Sequence, residues 1–201
     1  MSVMIVSPYL SLLTRCKPHS GLEGGLEVIS EHPSGTGIDL ARLLKKQDIK
    51  AKFDGFLGGH TGYRIRAMCR KERLPLYFLK VSSESPREIS IDNKPSQTLI
   101  TPLTPAHWET LYKALEGSEK KVQVIVAIND PRLPFPREFL EKLKLNFVTK
   151  NPSHQFLSVS KESDLSEVSQ TIQYLVQKNQ NKLYKQSVAH ATPASSIPIP
   201  K

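Results

Sequence analysis

Short apolar runs rich in β-branched residues alternate along the chain with stretches in which apolar residues recur every three or four positions. The first pattern is typical of buried strands, and the second of helices that cover a core with one face. The run at residues 122–128 carries no charge, as expected of a strand covered on both faces of a parallel sheet. The predicted strands are 3–6, 26–30, 51–57, 76–81, 87–91, 97–101, 122–128 and 145–149, and the predicted helices are 37–46, 61–71, 105–116, 136–143 and 164–183.

This order of elements predicts an α/β sandwich built around a mostly parallel sheet. The extra short strands between residues 26 and 100 predict a small β-flap beside that sheet. We expect one domain over residues 1–150, followed by an amphipathic helical extension over residues 151–185. Residues 186–201 are rich in Ser, Ala and Pro, which predicts a disordered tail.

Capping residues predict where three of the helices begin. Thr61 is predicted to cap the second helix, and Thr104 followed by Pro105 is typical of the start of the third. Asp164 and Glu167 have the spacing of a capping box, which predicts the start of the long C-terminal helix.

The charge balance narrows the classes of partner. With 28 Lys and Arg against 19 Asp and Glu, the net charge of +9 favours anionic partners such as phosphorylated metabolites. No run of five or more basic residues occurs, so nucleic-acid binding is not expected. No apolar run reaches the roughly 18 residues that cross a membrane, and residues 1–13 fit a buried first strand rather than a signal peptide. The isolated Cys16 and Cys69 predict reduced thiols and a cytoplasmic location, and the histidine spacing predicts no metal site.

Two glycine-rich segments carry the strongest functional pattern. The first is Ser34-Gly35-Thr36-Gly37-Ile38-Asp39-Leu40-Ala41-Arg42, and the second is Gly55-Phe56-Leu57-Gly58-Gly59-His60-Thr61-Gly62. Glycine lets backbone amides approach a small anionic ligand, and a helix that begins behind it adds free N–H donors. The same glycines also suit a tight strand-to-helix turn, so both interpretations stand at this point.

In this order and at this distance, the two segments resemble the N-terminal half of PfkB-type carbohydrate kinases, which have the ribokinase fold. The most similar branch is that of 1-phosphofructokinase and tagatose-6-phosphate kinase, with its motifs Gly-Gly-Lys-Gly-Ile/Leu-Asn-Val-Ala-Arg and Gly-Phe-Leu/Ile-Gly-Gly. Pro86-Arg87 is similar to the family's Thr-Arg before a lid strand, and residues 124–134 resemble the strand that leads to its Gly-Ser-Leu-Pro turn. The resemblance covers residues 1 to about 145 and implies a partial ribokinase-like sandwich.

The resemblance implies a sugar-phosphate cleft formed by Gly35, Thr36, Gly37, Asp39 and Arg87. Arg87 stands where a guanidinium would clamp the phosphate, although a solvated lid residue is the simpler interpretation. Asp39 stands where the family binds sugar, but a carboxylate also suits the first turn of any helix because the helix dipole favours it there.

Departures from the family pattern predict that catalysis is lost. The family's Asp that holds a sugar hydroxyl aligns with Ser11, its phosphate-binding lysine with Thr36, and its sugar-binding asparagine with Asp39. The last glycine of the chain is Gly117, so the family's catalytic Gly-Ala-Gly-Asp loop has no counterpart in it. Phosphoryl transfer depends on the positioning and electrostatic stabilisation that such a loop supplies. We therefore expect no catalytic residues, and ATP and Mg²⁺ as cofactors only where a partner chain completes the site.

Three hypotheses follow. The first is a catalytically deficient PfkB-like protein that keeps a residual sugar-phosphate-binding cleft. The second is an interaction or scaffold protein that binds a partner through the helix at 164–183; a homodimer is also expected where a sheet edge is left open. The third is one half of a split sugar kinase whose partner chain carries the glycine-rich loop.

Overall fold

The structure is a computed structural model that describes residues 2–19, 21, 25–92, 94–95, 100, 102–116, 122–150 and 154–190. Its strands are β1 (Ser2–Val6), β2 (Ser11–Pro18), β3 (Leu26–Ser34), β4 (Ala51–Gly58), β5 (Leu76–Val81), β6 (Arg87–Ile91), β7 (Lys94–Pro95), β8 (Val122–Asn129) and β9 (Gln155–Ser160). Its helices are α1 (Thr36–Lys46), α2 (Gly59–Lys71), α3 (Pro105–Glu116), α4 (Arg137–Lys150) and α5 (Leu165–His190).

Five strands form a parallel sheet in the order β5-β4-β1-β8-β9. The most apolar runs take its central positions, because a strand with neighbours on both sides and helices on both faces has no contact with water. Val3, Met4 and Ile5 of β1 are fully buried, as are Val124 and Val126 of β8. The predicted α/β class with a mostly parallel sheet is confirmed.

Helices cover both faces of this sheet. The buried apolar side chains of α1, α2 and α5 share one core cluster with one face of β1 and β8. Those of α3 and α4 form a second cluster on the opposite face, where Trp108, Phe135 and Phe139 pack with ring centroids 5.3–5.7 Å apart. The main sheet is therefore the middle layer of a three-layer sandwich.

A second sheet, which we call the flap, has the order β3-β2-β6-β7. Its strand β2 is antiparallel to β3 and parallel to β6, and α2 packs against β2 and β3. The small β-flap is confirmed, but the apolar stretch at 1–13 is not one strand. Pro8 lies in the connection where the chain leaves the main sheet after Val6 and enters the flap at Ser11; proline cannot donate to a strand ladder.

Two predicted boundaries are wrong for identifiable reasons. Residues 145–149 belong to α4 rather than to a strand, because Phe139, Leu143 and Phe147 recur every four positions and are all buried. Thr61 does not cap α2, which already begins at Gly59. The helix starts early because the carboxylate of Glu84, distant in sequence, accepts hydrogen bonds from the amides of His60 and Thr61.

The C-terminal region is confirmed in part. Residues 155–160 form strand β9 of the main sheet, although a helical extension is predicted there. The long helix begins as predicted, with Asp164 Oδ1 accepting a hydrogen bond from the Ser166 amide at 2.8 Å. It continues to His190, past the predicted start of the tail, while residues 191–201 lie outside the described residues, as does most of the predicted strand at 97–101. The domain boundaries themselves stay a prediction.

Candidate functional site

The two glycine segments meet at the carboxyl end of β1. A Cβ on Gly37 would lie 2.6 Å from a ring carbon of Phe53 and 2.7 Å from Ser7 Cβ. A Cβ on Gly55 would lie 2.6 Å from the Ser7 carbonyl oxygen and 3.0 Å from another Phe53 ring carbon. Both glycines are therefore required by close packing, which places α1 and β4 side by side.

Gly35 forms the turn between flap strand β3 and α1. Its φ of 138° is one that L side chains rarely adopt, and a Cβ there would lie 3.1 Å from the Tyr9 carbonyl oxygen. The Gly35 carbonyl oxygen accepts hydrogen bonds from the amides of Ile38 (2.9 Å) and Asp39 (3.1 Å). Thr36 is the first residue of α1. The loop thus begins the helix at the root of the flap.

Asp39 is held by a cation of its own helix. Arg42 Nη1 donates to Asp39 Oδ1 at 2.9 Å, while its Nε and Nη2 bind both carboxylate oxygens of Glu72 at 2.7 and 2.8 Å. These hydrogen bonds lower the pKa of Glu72 and raise that of Arg42. Asp39 shares the single guanidinium of Arg42 with Glu72, and its side chain is 50% exposed, so its negative charge is only partly offset by this contact.

Arg87 belongs to a group of four residues, Thr14, Glu31, Arg64 and Arg87, that we call the Glu31 cluster. Oε1 of Glu31 accepts hydrogen bonds from Arg87 Nη2 (3.0 Å), Thr14 Oγ1 (3.1 Å) and Arg64 Nη1 (3.2 Å). Oε2 accepts from Arg64 Nη2, and Arg87 Nε donates to Thr14 Oγ1 at 3.2 Å. Burial raises the pKa of Glu31, but the hydrogen bonds from Arg64 and Thr14 outweigh it and lower that pKa overall.

A third carboxylate occupies the start of α2. Glu84, in the connection between β5 and β6, accepts hydrogen bonds from the amides of Thr61 (2.5 Å) and His60 (3.1 Å). Gly59 has a φ of 63°, and a Cβ on it would overlap the Glu84 carboxylate. The hydrogen bonds from Thr61 lower the pKa of Glu84. The amides that could receive an external anion at this helix start are therefore bound to an internal one.

The flap is joined to the main sheet by five residues, Tyr9, Ser11, Glu88, Asp130 and Arg132, that we call the Glu88 cluster. Oε1 of Glu88 accepts hydrogen bonds from Tyr9 (2.6 Å), Ser11 (2.7 Å) and Arg132 Nη1 (2.8 Å). Arg132 also donates to both oxygens of Asp130, at 2.9 and 2.7 Å, and its guanidinium lies 3.7 Å from the centroid of the Tyr9 ring. Ser11, the position of the family's sugar-binding Asp, thus contacts a carboxylate supplied by β6.

The directions of the pKa shifts in this cluster indicate ionised carboxylates around a neutral phenol. Burial and the hydrogen bond to Glu88 raise the pKa of Tyr9 far above its ordinary value, so its hydroxyl remains a donor. Burial raises the pKa values of Glu88 and Asp130, but hydrogen bonds outweigh burial and lower both pKa values. The donors are Tyr9, Ser11 and Arg132 for Glu88. For Asp130 the donor is Arg132.

The structure therefore brings Gly35, Thr36 and Gly37 together at the carboxyl end of β1. Asp39 binds Arg42, and Arg87 binds Glu31. Whether these five residues bind a substrate stays a prediction.

Sequence reasoning missed the internal carboxylates Glu31, Glu84 and Glu88 and the cation Arg132. One signal was present for Glu88: Arg87 and Glu88 are adjacent in a strand, so their side chains must point to opposite faces of the flap. One of the two had to face the main sheet. The partners of Glu31 and Glu84 lie on other elements and carry no local sequence pattern.

Among the residues that the structure describes, no three His, Cys, Asp or Glu side chains are grouped so as to hold a metal ion. None of the helices in that part of the chain is long and apolar enough to cross a membrane. Cys16 and Cys69 are both free and buried.

The parallel sheet, the flap and the helices on both faces form the ribokinase-like fold of PfkB-type carbohydrate kinases, in its N-terminal half. A 1-phosphofructokinase of Bacillus subtilis (strain 168) is 38% identical over 65 residues, which are 31% of this chain and 22% of that enzyme. No protein-family model matches the chain.

Solved structures agree with this. A Thermotoga maritima protein described as a possible 1-phosphofructokinase has a TM-score of 0.62 at 18% identity, over 80% of this chain and 54% of its own. Escherichia coli phosphofructokinase-2, in complex with fructose-6-phosphate, has a TM-score of 0.58 at 17% identity, over 79% of this chain and 54% of its own; a tetrameric inhibited form of that enzyme is also similar. The chain spans about half the length of these solved structures. The resemblance predicted from the glycine segments is confirmed.

Proposed function

We propose that this chain is a catalytically deficient PfkB-like protein with a residual sugar-phosphate-binding cleft at the carboxyl end of its parallel sheet. The observation that carries the proposal is the Glu31 cluster. Arg87 is the cation that the family resemblance assigns to the phosphate, and it is bound to Glu31 at 3.0 Å and to Thr14 at 3.2 Å. A phosphate would have to displace an internal carboxylate before it could use this guanidinium.

Substitutions at the aligned positions support the loss of catalysis. Thr36 replaces the family's lysine, and the one cation of the first glycine segment, Arg42, is bound to Asp39 and Glu72. No glycine follows Gly117, and the anion hole and base of the family's catalytic loop have no counterpart in these 201 residues. We propose that the chain alone uses no ATP or Mg²⁺ and that it works in the cytoplasm, where its buried free thiols stay reduced.

Residual binding is supported by what remains of the cleft. Gly35 and Gly37 keep the close approach of α1 to the carboxyl end of β1, and the space beside Gly37 is filled by the side chains of Phe53 and Ser7. A sugar phosphate is therefore proposed to bind through backbone amides and a partly available Arg87, with millimolar affinity at best because the charged contacts are shared with internal groups.

Thermal unfolding with fructose 6-phosphate, fructose 1-phosphate and tagatose 6-phosphate tests the proposal. Binding to the native state raises the melting temperature by mass action. Thr36→Lys restores the family's cation and is expected to enlarge the shift. Thr110→Lys, on the exposed side of α3, adds the same charge far from the cleft and serves as the control. Equal behaviour of the two variants, or no shift at millimolar sugar phosphate in either, would contradict a residual cleft.

A second candidate function, one half of a split kinase, is favoured by β9. In the described part of the chain this strand pairs with β8 alone, so its outer edge can accept a further parallel strand. Turnover of ATP on mixing with a chain that carries the glycine-rich loop, and not with either chain alone, would support it.

The interaction hypothesis through α5 is less favoured, because Ile172 and Val176 of its apolar stripe pack inside the core against α1. Self-association through the flap is a better supported form of it. Val28 and Ile29 of the edge strand β3 are 54% and 60% exposed. Analytical ultracentrifugation of the chain and of Val28→Lys is expected to show a dimer that the substitution dissociates.

A further inference from the structure

We propose that the Glu31 carboxylate is a built-in occupant of a two-arginine anion site, and that this site takes a phosphate group once the charge at residue 31 is removed. This inference rests on the proposed function, because the proposed function is what places the two-arginine site in the sugar-phosphate cleft. It concerns an internal competitor, whereas the proposed function concerns binding of a sugar phosphate by the unaltered chain.

The donors around Glu31 have the arrangement of an oxyanion site. Arg64 comes from α2, Arg87 from β6 and Thr14 from β2, and all three point their N–H or O–H groups at one carboxylate. Guanidinium groups are suited to carboxylate and phosphate alike, because both present pairs of oxygens that match the planar fork. A donor set that converges from three elements is fixed by the fold and does not need to be assembled around a ligand.

The charges of the cluster do not cancel. Two guanidinium groups face one carboxylate, and within the described residues the ion pairs of Arg64 and Arg87 are made with Glu31. Neutralising residue 31 leaves two adjacent positive charges. The side chains of Arg64 and Arg87 are 33% and 46% exposed, so a small anion can reach them from solvent, whereas that of Glu31 is 12% exposed and lies behind them.

In the unaltered chain the Glu31 carboxylate occupies the site in preference to free phosphate, because the carboxylate is part of the same folded chain. A group attached to the same fold acts at an effective concentration in the millimolar range or above. Free phosphate must therefore exceed that effective concentration before it displaces the carboxylate. Glu31 also joins β3 to α2 and β6 through these contacts, so the internal anion holds the root of the flap against the main domain.

Glu31→Gln tests the proposal directly, because the amide oxygen can still accept from Thr14 while the charge is lost. Glu27→Gln is the matched control: it lies on the same strand, loses the same charge and breaks an exposed pair with Lys17 whose side chains are 52% and 51% exposed. The probe is inorganic phosphate, with sodium chloride at equal ionic strength as the reference, followed by thermal unfolding and titration calorimetry.

For Glu31→Gln we expect saturable binding of phosphate and a rise in melting temperature of about 5 °C at roughly 20 mM phosphate, if the dissociation constant is about 1 mM. The unaltered chain and Glu27→Gln are expected to shift by less than about 1 °C under the same conditions. Adding Arg64→Ala to Glu31→Gln should abolish the gain, because one of the two guanidinium groups is then missing.

A folded Glu31→Gln variant that phosphate stabilises no more than the unaltered chain would overturn the proposal. So would an equal response of Glu27→Gln, which would mean non-specific screening of a basic protein. If Glu31→Gln is unfolded without anions, recovery of its native circular dichroism on adding phosphate supports the site, and no recovery overturns it. Sugar-phosphate binding by the unaltered chain bears on the proposed function alone, so the two can fail separately.

Discussion

Replacing Arg132 with Met is expected to destabilise the protein strongly, because Arg132 binds two largely buried carboxylates, those of Asp130 and Glu88. It donates to Asp130 through Nε and Nη2 and to Glu88 through Nη1, and it lies over the Tyr9 ring. Methionine keeps most of the apolar volume but supplies no charge. Asp130, whose side chain is 2% exposed, is then left as a buried carboxylate that has lost its ion-pair partner.

The size of the effect follows from this burial. Removing one partner of a fully buried ion pair costs about 3–5 kcal/mol, because the other charge remains desolvated. The Arg132 side chain is 27% exposed and that of Glu88 19%, so water screens part of the interaction. Loss of the contact with the Tyr9 ring adds about 0.5–1 kcal/mol. We expect a loss of about 3 kcal/mol in the free energy of unfolding.

Urea denaturation followed by tryptophan fluorescence measures this loss, since Trp108 is the single tryptophan. For a domain of this size the midpoint should fall by about 1 M urea. Arg137→Met is the control, because its pair with Glu141 is 91% and 64% exposed and an exposed pair contributes less than about 1 kcal/mol. Equal midpoints for the two variants would refute the structural role assigned to the Glu88 cluster.

Three further predictions concern packing and pH. Gly37→Ala should lower the free energy of unfolding by about 1–2 kcal/mol in urea, because its Cβ would meet neighbours at 2.6 and 2.7 Å and this outweighs the better helix propensity of alanine. Ile172→Ala, at a fully buried position of α5, should cost about 3 kcal/mol, and a loss below about 1 kcal/mol would mean that α5 is not part of the core. The pKa values of Glu31 and Asp130 are lowered on folding, so their stabilisation is present above their ordinary pKa values of 4.5 and 3.8 and is lost as the pH falls below them. A scan of melting temperature against pH should therefore decline below about pH 4.5, and Glu31→Gln should decline less.

Much of the fold could be predicted from local patterns. The uncharged β-branched run of β8 and the three-residue spacing of apolar positions in α1 each determine one element without help from the rest of the chain. Failures occur where a distant contact decides. The start of α2 is set by Glu84, which is distant in sequence. The helical assignment of residues 145–149 differs, because the four-residue spacing from Phe139 to Phe147 is local and was overlooked in the sequence.

For the candidate site, the sequence predicted the glycine positions of the backbone but not the pairing of the charged side chains. Gly35 and Gly37 are required by close contacts within the fold, and their spacing is visible in the sequence. The charge pairs are not visible, because Arg87 and Glu31 are 56 residues apart and meet only through the register of β2 with β3 and β6. A sequence shows which cationic side chains exist, but it does not show which of them form ion pairs with carboxylates in the folded protein.

The measurement that most directly tests the proposed loss of catalysis is ATP turnover by the purified chain with fructose 6-phosphate or fructose 1-phosphate and Mg²⁺. A coupled assay for ADP, sensitive to about one turnover per hour, is expected to show no rate above that without sugar, because under the proposed function no base and no anion hole serve the moving phosphoryl group. Sugar-dependent release of ADP that co-purifies with the chain and disappears in Gly37→Val would contradict the proposal.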